Sequence, residues 1–119
     1  MLRNYRKPLI IATPKIGLKH PKAVSSLSDF APSTRFQPTL VKDFGSADIR
    51  KLVLCSGKVS LDIEAAIEKK EGLGHGIKVV RVEEIAPFPV NDLRAYMGQV
   101  GKGTEVFWVQ EESLNMGAF

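Results

Sequence analysis

From Arg50 onward the sequence alternates between short apolar runs and segments whose apolar residues recur at helical spacing, and this alternation restricts the chain to very few folds. Residues 52–56 form an apolar run that reads as a strand, and Gly57 supplies a turn. Residues 59–70 carry Leu61, Ile63, Ala66 and Ile67 on one helical stripe, where the repulsion of Glu64 and Glu68 is softened by Lys69 and Lys70. Gly72, Gly74 and Gly76 stop that helix. Residues 78–82 read as a second buried strand, and 83–89 lead into a helix over 91–100 with Asn91 as N-cap and Leu93, Tyr96, Met97 and Val100 along one stripe. Gly101 and Gly103 end it, and a final strand covers 105–109. Strands and helices in strict alternation, joined by a few residues, predict right-handed crossovers and a mostly parallel sheet covered on both faces. The expected fold is α/β, a three-layer α/β/α sandwich.

The first 49 residues are less regular. Residues 8–13, PLIIAT, are apolar and β-branched and end at Pro14, which predicts a buried strand. Residues 15–48 read as a long connection broken by proline, with one short helix over 22–27. The whole is one domain by length: 119 residues, 44% hydrophobic and 25% charged, suffice for a single core. No run approaches the roughly 18 apolar residues of a membrane-spanning helix, and no signal peptide follows the charged start, so a soluble protein is expected. The single cysteine, Cys55, lies in an apolar run and reads as a buried reduced thiol, which suits a reducing compartment.

The net charge of +4 is unevenly spread. Residues 1–35 hold seven basic residues against Asp29 alone, a net +6, whereas the remainder is −2. Such a head suits a contact surface for nucleic acid, for an acidic partner or for the rest of a longer polypeptide, and equally a solvated basic face.

Two segments at strand ends could carry chemistry. Cys55-Ser56-Gly57-Lys58 leads from a strand into a helix, where free backbone N–H groups and Lys58 could hold a phosphate or carboxylate. The alternative is a plain turn with a solvated lysine. A nucleotide P-loop is excluded, because its glycine spacing is missing and Val59 stands where Ser or Thr is needed. Gln110-Glu111-Glu112 follows the last strand; adjacent acids on an extended segment point to opposite sides, which favours a salt bridge over an acid/base pair. His20 and His75 have no second ligand at metal spacing, so no metal site is expected. Thr13, Ser26 and Ser56 lack a base partner, so no nucleophilic triad and no catalytic residue is assigned. Phe107 and Trp108 read as core residues rather than a base-stacking platform.

The stretches RKPLIIATPK, AVSSLSDFAP, LVLCSGKVSLDI, VVRVEEIAPFP and VFWVQEESLNMGAF, in that order, resemble the C-terminal domain of the thiamin-diphosphate-dependent decarboxylase component of 2-oxoglutarate dehydrogenase. The related 2-oxoadipate dehydrogenase component is as good a match. The resemblance covers the whole chain and departs at Ser113, where the family has proline. It implies a transketolase C-terminal-like fold, and a fragment of a longer enzyme whose chain continues past the NMG segment. In that enzyme thiamin diphosphate, magnesium and the 2-oxo acid are held by earlier domains of a homodimer, and the GDG motif and catalytic histidines are absent here.

The implied parent activity is oxidative decarboxylation of 2-oxoglutarate in the tricarboxylic acid cycle, with succinyl transfer to the lipoyl group of the acyltransferase component. The implied location is the mitochondrial matrix in a eukaryote and the cytoplasm in a bacterium. This domain would be inactive alone and would contribute packing against preceding domains, part of the dimer interface and a regulatory site. No cofactor is expected in this chain. The anion or effector candidates are Lys7, Lys15, Ser56 and Lys58; the lysines are expected to meet because they flank adjacent strand ends. The interface candidates are Gln110, Glu111, Glu112 and Asn115. The competing reading is a stand-alone anion, nucleotide or nucleic-acid binding module using the basic head. Nucleic acid is not the expected partner; a binder of it would lose affinity steeply with salt.

Overall fold

The computed structural model describes residues 4–45 and 48–118. Four strands and two helices follow in the order β1 (Thr39–Asp43), β2 (Lys51–Cys55), α1 (Val59–Lys69), β3 (Ile77–Val82), α2 (Val90–Met97) and β4 (Glu105–Val109), preceded by 3-10 turns at Lys15–Lys19 and Leu27–Phe30. The sheet order is β1-β3-β2-β4. β2 runs parallel to both neighbours, with Lys51 opposite Ile77 of β3 and Glu105 of β4, while β1 lies antiparallel to β3 with Thr39 opposite Val82. The sheet is mixed but mostly parallel, and each face carries one helix.

Alternation along the strands divides the core. On one face Leu52, Val80 and Val82 pack with Leu93 of α2, joined by Leu54, Tyr96, Val100 and Trp108. On the other, Cys55 and Val79 pack with Ile67 of α1, joined by Val53, Val59, Ile63, Ile77, Val109 and Phe44. Val79 and Val80, adjacent and pointing to opposite faces, are both buried because β3 is covered on both sides. Cys55 is a free, buried cysteine, and burial pushes its thiol up to about 11, with Arg81 pulling the other way and Glu64 and Glu83 adding to the rise. It therefore stays protonated at neutral pH and packs as an apolar side chain.

Glycine is required at the two turns that flank β2 and β3. Gly57 (φ 73°) swings the backbone from β2 into α1. Gly76 (φ 76°) is enclosed as well: a Cβ there would lie 2.9 Å from Arg50 Nε and 3.1 Å from the Asp48 carbonyl.

The amino-terminal third departs from expectation. Residues 8–13 form no strand: they join no ladder, and Ile10 is 94% exposed. β-Branched content favours extended backbone, but a strand also needs an edge to pair with, and this segment joins neither outer strand of the sheet, β1 or β4. The first strand lies instead at Thr39–Asp43, inside the expected connection. Only Thr39 of β1 is buried, so hydrophobic alternation does not reveal it. Its attachment is polar: Glu83 and Glu84 donate their backbone N–H groups to the Pro38 carbonyl at 2.8 and 3.1 Å, Thr39 Oγ1 and Tyr96 Oη lie 3.1 Å apart, and Lys78 Nζ meets Asp43 Oδ2 at 3.5 Å.

The helix expected over 22–27 is also absent. Residues 20–23 make a turn, and Ser26 and Asp29 form a capping box that starts the 3-10 turn at Leu27. α2 begins at Val90 after Pro89, without a side-chain cap, and ends at Met97; Asn91 is therefore inside the helix rather than its N-cap.

The solvent-accessible surface is 9453 Å², whereas a folded monomer of 13.1 kDa exposes about 6400 Å². The radius of gyration, 15.7 Å, likewise exceeds the roughly 13.5 Å of a 119-residue globule. Much of the excess is apolar and amino-terminal: Leu9, Ile10, Ile11, Ile16, Leu18 and Leu27 are all more than half exposed. Among the described residues no helix is long and apolar enough to cross a membrane.

Candidate functional site

β2 is followed by α1 on one face of the sheet and β3 by α2 on the other. Where successive crossovers leave a parallel sheet on opposite faces, the strand ends part and a crevice opens outside their carboxyl ends. A cleft of about 260 Å³ lies there, lined by Gly57, Lys58 and Leu61 after β2, by Arg81 and Glu83 at the end of β3, and by Pro14 and Gly17 of the amino-terminal arm.

The local backbone positions its charges. Ser60, fully buried in the first turn of α1, donates its hydroxyl to the Gly57 carbonyl at 2.8 Å, which ties the turn to the helix. Arg81 Nη1 reaches Ser60 Oγ at 3.4 Å while Arg81 Nε pairs with Glu83. Lys58 Nζ donates to Glu111 Oε1 at 2.6 Å and meets Asp62 Oδ2 at 3.3 Å. The hydrogen bond to Glu111, and then that to Asp62, raises the Lys58 ammonium above its ordinary range, so it is fully charged at neutral pH.

The segment after β4 is organised around one side chain. Gln110 accepts a hydrogen bond from Trp108 Nε1 at 2.8 Å on its Oε1. Its Nε2 donates to the carbonyls of Glu112, Ser113 and Met116 at 3.1, 3.0 and 3.0 Å, so two hydrogens are shared among three acceptors. Asn115 Oδ1 accepts from Ser113 Oγ at 2.7 Å, a bond available because serine stands at this position. Glu112 Oε2 lies 3.0 Å from where a Cβ on Gly117 would sit.

The structure brings together only some of the expected residues. Lys58 and Glu111, assigned by sequence to different roles, form a direct ion pair. Lys15 opens the 3-10 turn whose Gly17 lines the cleft, and Ser56 is half-buried at the end of β2. Lys7 is not gathered with them by a strand end, because no strand forms there; its ammonium lies 5.3 Å from the centre of the Tyr5 ring on the arm. Sequence reasoning missed Arg81, Glu83 and Asp62. A charged residue interrupting the buried run VVRV was the available signal for Arg81, and the i,i+4 spacing from Lys58 was that for Asp62.

The cleft thus offers two cations, each already matched by a carboxylate. Lys58 is shared by two carboxylates, Glu111 and Asp62, and Arg81 is paired with Glu83. Among the described residues no group of three or more His, Cys, Asp or Glu side chains could hold a metal ion. Ser26 caps the turn at Leu27 and takes no part in the cleft.

Residues 24–119 match the family described as 2-oxoglutarate dehydrogenase C-terminal. The 2-oxoadipate dehydrogenase complex component E1 of Xenopus laevis is 41% identical across the whole chain, and that of Homo sapiens is 40% identical across 98% of it; the match occupies 13% of each relative. The 2-oxoglutarate dehydrogenase E1 component of an Exiguobacterium strain is 39% identical across 95% of the chain and 12% of its own length. The chain therefore spans only about one-eighth of the length of these relatives.

Proposed function

The chain belongs to the 2-oxoglutarate dehydrogenase C-terminal family, and on that footing we propose that it serves as the docking and regulatory domain of a thiamin-diphosphate-dependent decarboxylase subunit. The parent enzyme oxidatively decarboxylates 2-oxoglutarate or its homologue 2-oxoadipate and passes the acyl group to the lipoyl group of an acyltransferase component. Thiamin diphosphate supplies the electron sink for that decarboxylation when bound to the parent. The residues of this chain do not fit it or magnesium: the sequence has no GDG motif, and the described residues hold no metal-binding cluster. Both groups belong to earlier domains in this reading, between the subunits of a homodimer. A mitochondrial matrix location in a eukaryote, or a cytoplasmic one in a bacterium, goes with it.

One observation carries the docking role. A 13.1 kDa chain that exposes 9453 Å², with its apolar excess concentrated on an arm that pairs with nothing in the sheet, has the surface of a piece of a larger assembly. The arm contacts the preceding domains, and Gln110, Glu111, Glu112 and Asn115 lie at the dimer interface. The cleft at Lys58 and Arg81, bordered by the turn that starts at Lys15 and by Ser56, accepts an anionic effector; Lys7 acts from the arm. The chain alone is expected to release no carbon dioxide from 2-oxoglutarate or 2-oxoadipate with thiamin diphosphate and magnesium added. Turnover above the uncatalysed rate would overturn the reading.

A further inference from the structure

A second cleft, of about 360 Å³, lies between the residues that lead into β1 and those that lead into α2, and it shares no lining residue with the cleft at Lys58. Its apolar lining is Phe36, Pro38, Pro87, Phe88 and Val90; Phe36, Phe88 and Val90 are each about half exposed, and none of the three belongs to a core cluster. Glu84 and Asp92 line it too, with Arg35 as the opposing cation. Among the described residues neither carboxylate makes an ion pair. We propose that this cleft receives Leu9, Ile10 and Ile11 from the arm of a second copy, by their side chains and without adding a strand to the sheet, so that a reciprocal exchange of arms closes a dimer. This goes beyond the role in a longer polypeptide: it identifies the surface of this chain that takes the arm.

Three features support it. The arm segment RKPLIIATPK has its apolar residues bracketed by Arg6 and Lys7 on one side and Lys15 on the other, with no acid among them. The cleft offers the complement, apolar side chains beside two unpaired carboxylates, so cations meet anions when the apolar groups are in contact. An arm laid against another arm would instead bring the Arg6-Lys7 pairs of two copies together, like charge against like. The chain also has surface to lose: it exposes about 3000 Å² more than a folded monomer of its mass, whereas a standard interface takes roughly 800 Å² from each partner. Finally, each copy carries one arm and one such cleft. A contact between unlike surfaces closes into a dimer when both copies make it at once.

The test is sedimentation of the 119-residue chain across a concentration series. Phe36→Ser combined with Phe88→Ser is expected to weaken dimerisation about a hundredfold, as loss of the apolar seat at both contacts requires. That variant keeps its arm, and the chain with Leu9→Ser, Ile10→Ser and Ile11→Ser keeps its cleft. Each should be monomeric alone, and an equal mixture of the two should form a one-to-one complex through the single intact contact. Glu84→Lys with Asp92→Lys should weaken dimerisation about tenfold, and adding Arg6→Glu with Lys7→Glu should restore it. The charge exchange keeps the test decisive even where the phenylalanine variant folds poorly. A phenylalanine variant that dimerises as tightly as the unaltered chain would overturn the proposal in favour of an arm-to-arm contact. A mixture that stays monomeric, or reversed charges that fail to rescue one another, would contradict the seating. An unaltered chain that is monomeric at every concentration would refute the exchange between copies altogether.

Discussion

The chain is expected to self-associate through Leu9, Ile10 and Ile11, and replacing the three together with serine should leave a monomer without lowering the melting temperature. The three side chains are 63%, 94% and 64% exposed and belong to no core cluster, so the folded monomer loses little when they are made polar. In a contact between copies the same side chains lie against apolar surface. Burying each contributes about 1.5 kcal/mol or more, and allowing for the entropy of association the triple replacement should weaken dimerisation more than a hundredfold. Sedimentation across a concentration series gives the association constant, and thermal unfolding of the same samples gives the stability. A variant that remains associated would move the sticky surface elsewhere. A variant that melts markedly lower would mean that the arm packs against the domain core.

Leu52→Ala should have the largest effect on stability. Leu52 is fully buried in the central strand, with Lys78 of β3 and Val106 of β4 on either side, and it faces Val80, Val82 and Leu93. Removing its isobutyl group leaves a cavity that backbone paired on both sides cannot close, at a cost of about 2–5 kcal/mol. That is a large share of the roughly 5–15 kcal/mol that holds a domain together. Val106→Ala is the contrasting change: Val106 is 45% exposed on the outermost strand, and its truncation should cost less than about 1 kcal/mol. Denaturant unfolding of the two variants ranks the strands directly. Equal losses would contradict the assignment of β2 as central and β4 as edge.

The elements legible in the sequence are those that carry a local apolar run or a helical stripe. β2, β3, β4 and α1 fall within a residue of their expected limits, because residues 52–55, the Val79-Val80 pair and residues 106–109 leave apolar stretches and Ile63 and Ile67 leave a helical stripe. β1 was illegible because an edge strand held by the Pro38 carbonyl, Thr39 and the Lys78–Asp43 pair carries no hydrophobic period. Residues 8–13 were misread for the opposite reason. Their composition states a preference for extended backbone but not which edge would receive them, and this sheet does not. The cleft was half legible. The turn at Ser56-Gly57-Lys58 is marked by its place between strand and helix, whereas the pairing of Lys58 with Glu111, 53 residues away, depends on β4 lying beside β2. Local spacing contains no record of that neighbour.

The amino-terminal arm bears most of the weight of the account: residues 9–13 are apolar and join no strand of the sheet, and the proposed role gives them a place against preceding domains. Hydrogen–deuterium exchange of the backbone at residues 9–13 measures this directly, compared between the 119-residue chain and the same chain fused behind the preceding domains of a family member. The account predicts fast, unprotected exchange in the chain alone and protection of at least a hundredfold in the longer polypeptide, where the segment gains hydrogen-bond partners. Equally fast exchange in both would contradict it.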